Sequence, residues 1–222
     1  MTAQAIKIAI DKTQKVSGLW QAPKGARACL VLAHGAGAGM THKSMTAIAD
    51  GLAERSVATL RYQFPYMEHG SRRPDSPAVA HAAVRAAVAE AARRAKKLPL
   101  FAGGRSFGGR MTSQAQAAEP LPGVCGLVFF AFPLHPPGKP ATDRADHLTD
   151  VEVRMLFLQG SRDEFAQLDL LRSVIKHLGK RATLELVDDA DHSFHVPAKT
   201  GRKDADVLAA LLDKVAEWMT RR

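Results

Sequence analysis

Ser106 stands at the centre of Gly104-Arg105-Ser106-Phe107-Gly108, directly after the short apolar run Leu98 to Ala102 and directly before an alanine-rich run with helical character. Strand, G-x-S-x-G, helix is the context in which a serine becomes a nucleophile. The chain must reverse within about one residue, which strains the serine backbone and leaves its hydroxyl above the strand end. Side chains two positions away on either side would collide in so tight a turn, so glycine is required there. A serine hydroxyl is a poor nucleophile at neutral pH and needs a base to take its proton during attack. His192, following the last expected strand, has an imidazole that titrates near neutrality. Asp163, at the end of the preceding strand, suits the acid that fixes the imidazole tautomer and stabilises its cation. Competing readings exist for both: His192 as a surface-loop histidine, and Asp163 as the N-cap of a helix beginning near Phe165. Glu164, Asp188, Asp189 and Asp191 are the other acids nearby; the last three lie too close to His192 along the chain to be the usual orienting acid.

An oxyanion developing on the reacting carbonyl needs at least two backbone N–H donors. Phe107, the residue after the serine, should supply one. The loop His34-Gly35-Ala36-Gly37-Ala38-Gly39, after the first apolar strand, should supply the other, from Ala36 or, as second choice, Gly37. This loop is not a phosphate cradle: the chain lacks G-x-x-x-x-G-K-[ST], and Gly35-x-Gly37-x-Gly39 misses G-x-G-x-x-G. No nucleotide or other cofactor is expected, and two cysteines give no metal-ligand spacing.

These groups need a scaffold, and the chain alternates strand and helix. Ile6 to Ile10 alternates with period two and reads as an exposed edge strand. Ala28 to Ala33 is a continuous apolar run suited to a strand buried on both faces. A helix from about His42 to Arg55 carries Met45, Ile48 and Leu52 at helical spacing. Val57 to Leu60 is the next strand, Gln63 to Pro77 a polar loop, and an alanine-rich helix of about 20 residues ends near Lys97. After the serine turn, helix continues through Met111 to Ala118. Val124 to Phe130, Val153 to Leu158 and Thr183 to Val187 read as strands. Phe165 to Leu178 and Lys203 to Trp218 read as helices. This order predicts a mostly parallel sheet covered by helices on both faces, with functional groups at the carboxyl ends of its strands.

The 222 residues suit one α/β domain, and 46% hydrophobic with 24% charged content is an ordinary globular balance. The net charge of +9 arises from 31 basic and 22 acidic side chains. The basic residues are scattered in short pairs such as Arg72-Arg73 and Lys96-Lys97, and no nucleic-acid motif accompanies them, so nucleic acid is not an expected partner. Cys29 and Cys125 both read as small core residues. No run approaches 18 apolar residues, and the N-terminus lacks a basic stretch followed by an apolar one. The expectation is a soluble, cytoplasmic protein that does not bind membranes.

Ala33-His34-Gly35-Ala36-Gly37, Arg61-Tyr62-Gln63-Phe64-Pro65-Tyr66, Gly103-Gly104-Arg105-Ser106-Phe107-Gly108-Gly109-Arg110, Pro133-Leu134-His135-Pro136-Pro137-Gly138 and Asp191-His192-Ser193-Phe194 together resemble the α/β-hydrolase superfamily over nearly the whole chain. More narrowly, the chain resembles small bacterial hydrolases grouped with the testis-expressed and chromatin-complex-subunit hydrolase-like proteins, relatives of dienelactone hydrolases. The resemblance implies an α/β-hydrolase fold spanning 1–222 and a triad of Ser106, Asp163 and His192, in the order serine, acid, histidine. Dienelactone hydrolases proper look different, with a cysteine in the place held here by Ser106.

The sequence thus points to a serine hydrolase cleaving small esters. A non-catalytic scaffold on the same fold, and thioester or peptide cleavage, are the alternatives. The segment from about 133 to 150, a loop or small cap, is expected to border the pocket. With His135, Lys139, Arg144 and His147 in that segment and Arg105 beside the nucleophile, we expect Arg105 and His135 to contact substrate in a shallow, positively lined site. That charge suits an ester that also carries a carboxylate.

Overall fold

Every residue of Ala28–Ala33 is buried. A strand without polar alternation must be covered on both faces, and that requirement organises the molecule. The computed structural model describes residues 2–221. Among these, β1 (Gln4–Ala9), β2 (Lys15–Gln21), β3 (Ala28–Ala33), β4 (Val57–Tyr62), β5 (Leu100–Arg105), β6 (Val124–Phe130), β7 (Arg154–Gly160) and β8 (Ala182–Val187) form one sheet. Its order is β1-β2-β4-β3-β5-β6-β7-β8. β1 and β2 pair antiparallel, as do β2 and β4; the remaining pairs are parallel.

The helices are α1 (Lys43–Glu54), α2 (Pro65–Glu68), α3 (Pro77–Ala95), α4 (Phe107–Ala118), α5 (Leu168–Leu178) and α6 (Asp204–Thr220). Successive strand residues point to opposite faces, and β3 divides accordingly. Leu30 and Leu32 pack with Ile48 and Leu52 of α1 and Val207, Leu211 and Val215 of α6. Cys29, Val31 and Ala33 pack with Ala80, Val84 and Ala87 of α3 and Met111 and Ala115 of α4. The sheet is therefore mostly parallel and covered on both faces. Parallel pairing from β4 through β8 leaves the carboxyl ends of these strands at one side.

Three features depart from the sequence reading. β2 is an additional strand, which makes an antiparallel hairpin with β1 at the edge of the sheet. The segment Gln63 to Pro77 is not all loop, since Pro65 starts the short α2, where proline's fixed φ and missing N–H cost nothing. Cys29 is buried, with its thiol pushed up to about 12 by desolvation, but Cys125 is exposed. It is the second residue of β6, at the strand's amino end, and does not belong to the core.

Candidate active site

β5 ends at Arg105 and α4 begins at Phe107, so a single residue joins them. That residue, Ser106, has φ 50° and ψ −119°. Such a conformation costs a non-glycine residue about 1 kcal/mol or more and persists only where neighbours enforce it. The enforcement is visible. A Cβ at Gly104 would strike the Ala33 carbonyl, and one at Gly108 would strike the His34 carbonyl. Both glycines let the turn press against the end of β3. The Ser106 N–H is tied to the Phe130 carbonyl at 2.9 Å, and the first α4 hydrogen bond, Arg110 N–H to Ser106 O, closes at 3.1 Å.

The His192 Nε2 lies 2.9 Å from Ser106 Oγ. Its Nδ1 lies 2.8 Å from Asp163 Oδ2 and 2.9 Å from Oδ1. Asp163 is 4% exposed, which makes it a carboxylate held by hydrogen bonds and not by water. Gln159 Nε2 donates to Oδ2, and the Phe165 N–H donates to Oδ1 at 2.8 Å. An acceptor on Nδ1 places the imidazole proton there and leaves the Nε2 lone pair facing the serine. Phe165 also lies over the imidazole, ring centroids 4.4 Å apart, limiting its rotation. The His192 loop is held to the end of β7 by Arg162 N–H to Ala190 O and Ser161 N–H to Val187 O, each 2.9 Å. The other acids are elsewhere: Glu164 is exposed, and Asp191 Oδ1 accepts the N–H groups of Ser193 and His195 within its own loop.

The glycine-rich loop after β3 is oriented by two buried side chains. Burial pushes the His34 imidazole down to about 4, so the ring is neutral. Nε2 accepts the Phe64 N–H at 3.0 Å, and Nδ1 donates to the Gly35 carbonyl at 2.8 Å. Tyr66 Oη donates to the Ala36 carbonyl at 2.8 Å. In a planar trans peptide the carbonyl and the following N–H point in opposite directions. Drawing the Gly35 and Ala36 carbonyls toward the protein therefore turns the Ala36 and Gly37 N–H groups the other way. Ala36, Gly37, Ser106 and His192 all line one cavity of about 370 Å³, and the N–H groups of Phe107, Ala36 and Gly37 make no hydrogen bond among the described residues. In the sequence Tyr66 is only part of the Arg61-Tyr62-Gln63-Phe64-Pro65-Tyr66 motif. Its role was not legible because nothing in the spacing shows which carbonyl a tyrosine will reach.

A model of the alpha/beta hydrolase domain matches residues 26–220. The chain belongs to the α/β-hydrolase family. Similar solved structures include a dienelactone hydrolase from Anabaena variabilis, 18% identical over 98% of this chain and 96% of that one, with a TM-score of 0.77. A serine hydrolase without lid from Xanthomonas campestris is 20% identical over 100% and 97%, with a TM-score of 0.76. A serine hydrolase homologue from Coxiella burnetii is 18% identical over 100% and 97%, with a TM-score of 0.74. At these identities the likeness is one of fold. Among the described residues of this α/β-hydrolase, no helix is long and apolar enough to cross a membrane.

Two expectations about substrate contacts need correction. His135 is 2% exposed, and both ring nitrogens are engaged: Nε2 accepts the Gln167 N–H and Nδ1 donates to the Pro136 carbonyl, each at 2.9 Å. It joins the chain after β6 to the start of α5 and does not line the cavity beside Ser106. The rest of 133–150 does not border that cavity either. Buried Leu134, Ala145 and Leu148 draw it into the core beside α4, and a 3-10 segment, Asp143–Asp150, sets His147 Nε2 2.7 Å from Ser113 Oγ. Burial pushes His147 down to about 4, so it carries no positive charge at neutral pH. Arg105, by contrast, does line the cavity, together with His42, Ser44, Phe165 and Ser193.

Proposed function

We propose that this α/β-hydrolase is a serine carboxylesterase acting on small esters, with the chain working as one catalytic domain in the cytoplasm. Ser106 Oγ attacks the ester carbonyl carbon as its proton passes to His192 Nε2. The carbonyl oxygen becomes an oxyanion facing the N–H groups of Phe107 and Ala36, with Gly37 as a neighbouring donor. The imidazolium, held by Asp163, then gives its proton to the departing alkoxide, and an alcohol leaves. Water repeats the cycle on the acyl-enzyme: His192 takes its proton, the acid is released, and Ser106 regains its hydrogen.

The observation that carries this reading is the continuous chain of contacts from Asp163 through His192 to Ser106, with 2.8 Å and 2.9 Å links. A protein that used the fold only as a scaffold would have no need of a strained serine aimed at a tautomer-fixed imidazole. The test is a fluorophosphonate probe followed by mass spectrometry. Ser106 is expected to carry the label in the wild type, with none on Ser106→Ala. Absence of label from the wild type would overturn the proposal. Turnover of matched ester, thioester and anilide substrates then distinguishes esterase chemistry from its neighbours.

A further inference from the structure

Arg105 is a half-buried cation with no anionic partner among the described residues. Nη1 donates to Ser44 Oγ at 2.7 Å and Nη2 donates to Ser193 Oγ at 3.0 Å. Among the described residues no carboxylate lies within ion-pair distance of it, whereas Arg55 meets Asp213 at 2.6 Å and Arg94 meets Glu90 at 2.6 Å. The closest acids are already committed: Asp163 to His192, and Asp191 to its own loop. A guanidinium has five N–H donors in a fork that fits a carboxylate, and two neutral hydroxyls occupy only two of them. Desolvation lowers its pKa with only distant attraction from Asp191 and Asp163 in return. Partly buried charge is ordinarily offset by a counter-ion; here that place is open to the cavity.

The position is informative. Arg105 precedes the nucleophile in the chain, and Ser193, which it touches, follows His192. An anion on this guanidinium therefore lies in the same cavity as the carbonyl that Ser106 would attack. Arg105, Ser44 and Ser193 also form the rib between the Ser106 cavity and a second one of about 270 Å³, whose further walls include Ala47, Ile48, Phe194, Ala205 and Leu208. That second compartment is predominantly apolar, with the Asp204 carboxylate on its rim turned to His195 and the Val196 N–H.

We propose that Arg105 anchors a carboxylate of the substrate, so that the enzyme selects half-esters of dicarboxylic acids, and that the neighbouring compartment takes an apolar branch of the same acid. The proposal rests on the esterase reading for its chemistry, though not for its binding. One acyl half-ester fits all three features: carbonyl at Ser106, carboxylate on Arg105, branch beside Ile48. A net charge of +9 adds long-range attraction for such an anion.

The experiment compares monoethyl with diethyl 3-phenylglutarate, a symmetric acid with one position for the branch. Wild type is expected to prefer the half-ester in kcat/KM by roughly 10- to 100-fold, the size of a charge-assisted contact. The ratio of the two substrates within each variant cancels any general loss. It should collapse toward unity in Arg105→Gln and recover partly in Arg105→Lys. Ala205→Trp, at an exposed wall of the apolar compartment, should lower turnover of monoethyl 3-phenylglutarate relative to monoethyl glutarate. In parallel, calorimetry of 3-phenylglutarate on Ser106→Ala should show binding that weakens at least about tenfold when Arg105→Gln is added. A wild type indifferent to the free carboxylate, or a preference that survives Arg105→Gln, would overturn the anchor; an inert Ala205→Trp would overturn the branch site. If no ester turns over and Ser106 takes no fluorophosphonate, the esterase reading fails alone, and the calorimetric arm still decides for or against the anchor.

Discussion

The Tyr66 hydroxyl donates a 2.8 Å hydrogen bond to the carbonyl of Ala36. It thereby holds the peptide whose N–H belongs to Gly37, while His34 holds the preceding one through the Gly35 carbonyl. The two loop donors proposed for the oxyanion, Ala36 and Gly37, are thus positioned from behind, by side chains that do not line the cavity. Burial raises the Tyr66 pKa to about 12, so the phenol remains a donor across the working range.

Tyr66→Phe removes that one bond and little volume. We expect kcat for a simple ester to fall about five- to tenfold, the value of one neutral hydrogen bond. KM should hardly move, because the ground-state carbonyl depends less on the donors than the oxyanion does. Steady-state kinetics on a nitrophenyl ester checks this; a loss confined to KM would contradict the positioning role.

Asp163→Asn keeps the shape of the acid but presents an amide. Its NH2 would donate to His192 Nδ1, forcing the imidazole proton to Nε2, where it faces Ser106. The base is then lost with the fold intact. kcat should drop by about 10⁴, as such a tautomer reversal does in serine proteases, while the far-ultraviolet circular dichroism stays that of the wild type.

His135→Ala separates structure from substrate contact. Two partly buried backbone groups, the Pro136 carbonyl and the Gln167 N–H, lose their partners, a cost of about 1 to 3 kcal/mol. A chain of this size should melt roughly 2 to 4 °C lower per kcal/mol. Below that melting point kcat/KM should match the wild type. A specific rise in KM with an unchanged melting temperature would restore His135 to the substrate site.

His34 and His147 set the response to acid. Both are held by burial at about 4 in the folded protein, below the ordinary histidine value near 6.5. As pH falls below the unfolded value, the unfolded chain binds protons that the folded chain refuses. Stability is therefore complete above roughly pH 6.5 and declines toward pH 4. For fully buried His34 the loss is on the order of 3 kcal/mol. Urea midpoints at pH 7.0, 5.5 and 4.5 should fall in sequence, and His147→Gln should flatten the trend. A flat profile in the wild type would refute the assignment.

Much of this molecule could be read from residue order because its signals are local. The apolar block Ala28 to Ala33 can only be a doubly covered strand, and glycines flanking Ser106 mark a turn too tight for side chains. The spacing of Ser106, Asp163 and His192 follows from strands that must all end at one side. β2 is not legible in the sequence for an equally physical reason. Its centre is Gly18, a weak strand former, and the missing side chain makes sense only beside Ile6 and Ile8, which fill the space. The fate of 133–150 was hidden likewise. Prolines and charges suggested an open border, but Leu134, Ala145 and Leu148 find apolar neighbours that no period in the sequence announces. Arg105 was legible as a residue beside the nucleophile; its contacts with Ser44 and Ser193, 61 and 88 positions away, were not.

Cys125 is exposed near the amino end of β6, while the buried Cys29 has its thiol held in the neutral form. Ser106 sits at the carboxyl end of β5, which runs parallel to β6. A maleimide dye or a resin linker would therefore react at one defined point on the side of the sheet away from the catalytic groups. The native sequence thus provides its own handle for oriented immobilisation, with the substrate entrance left facing solution.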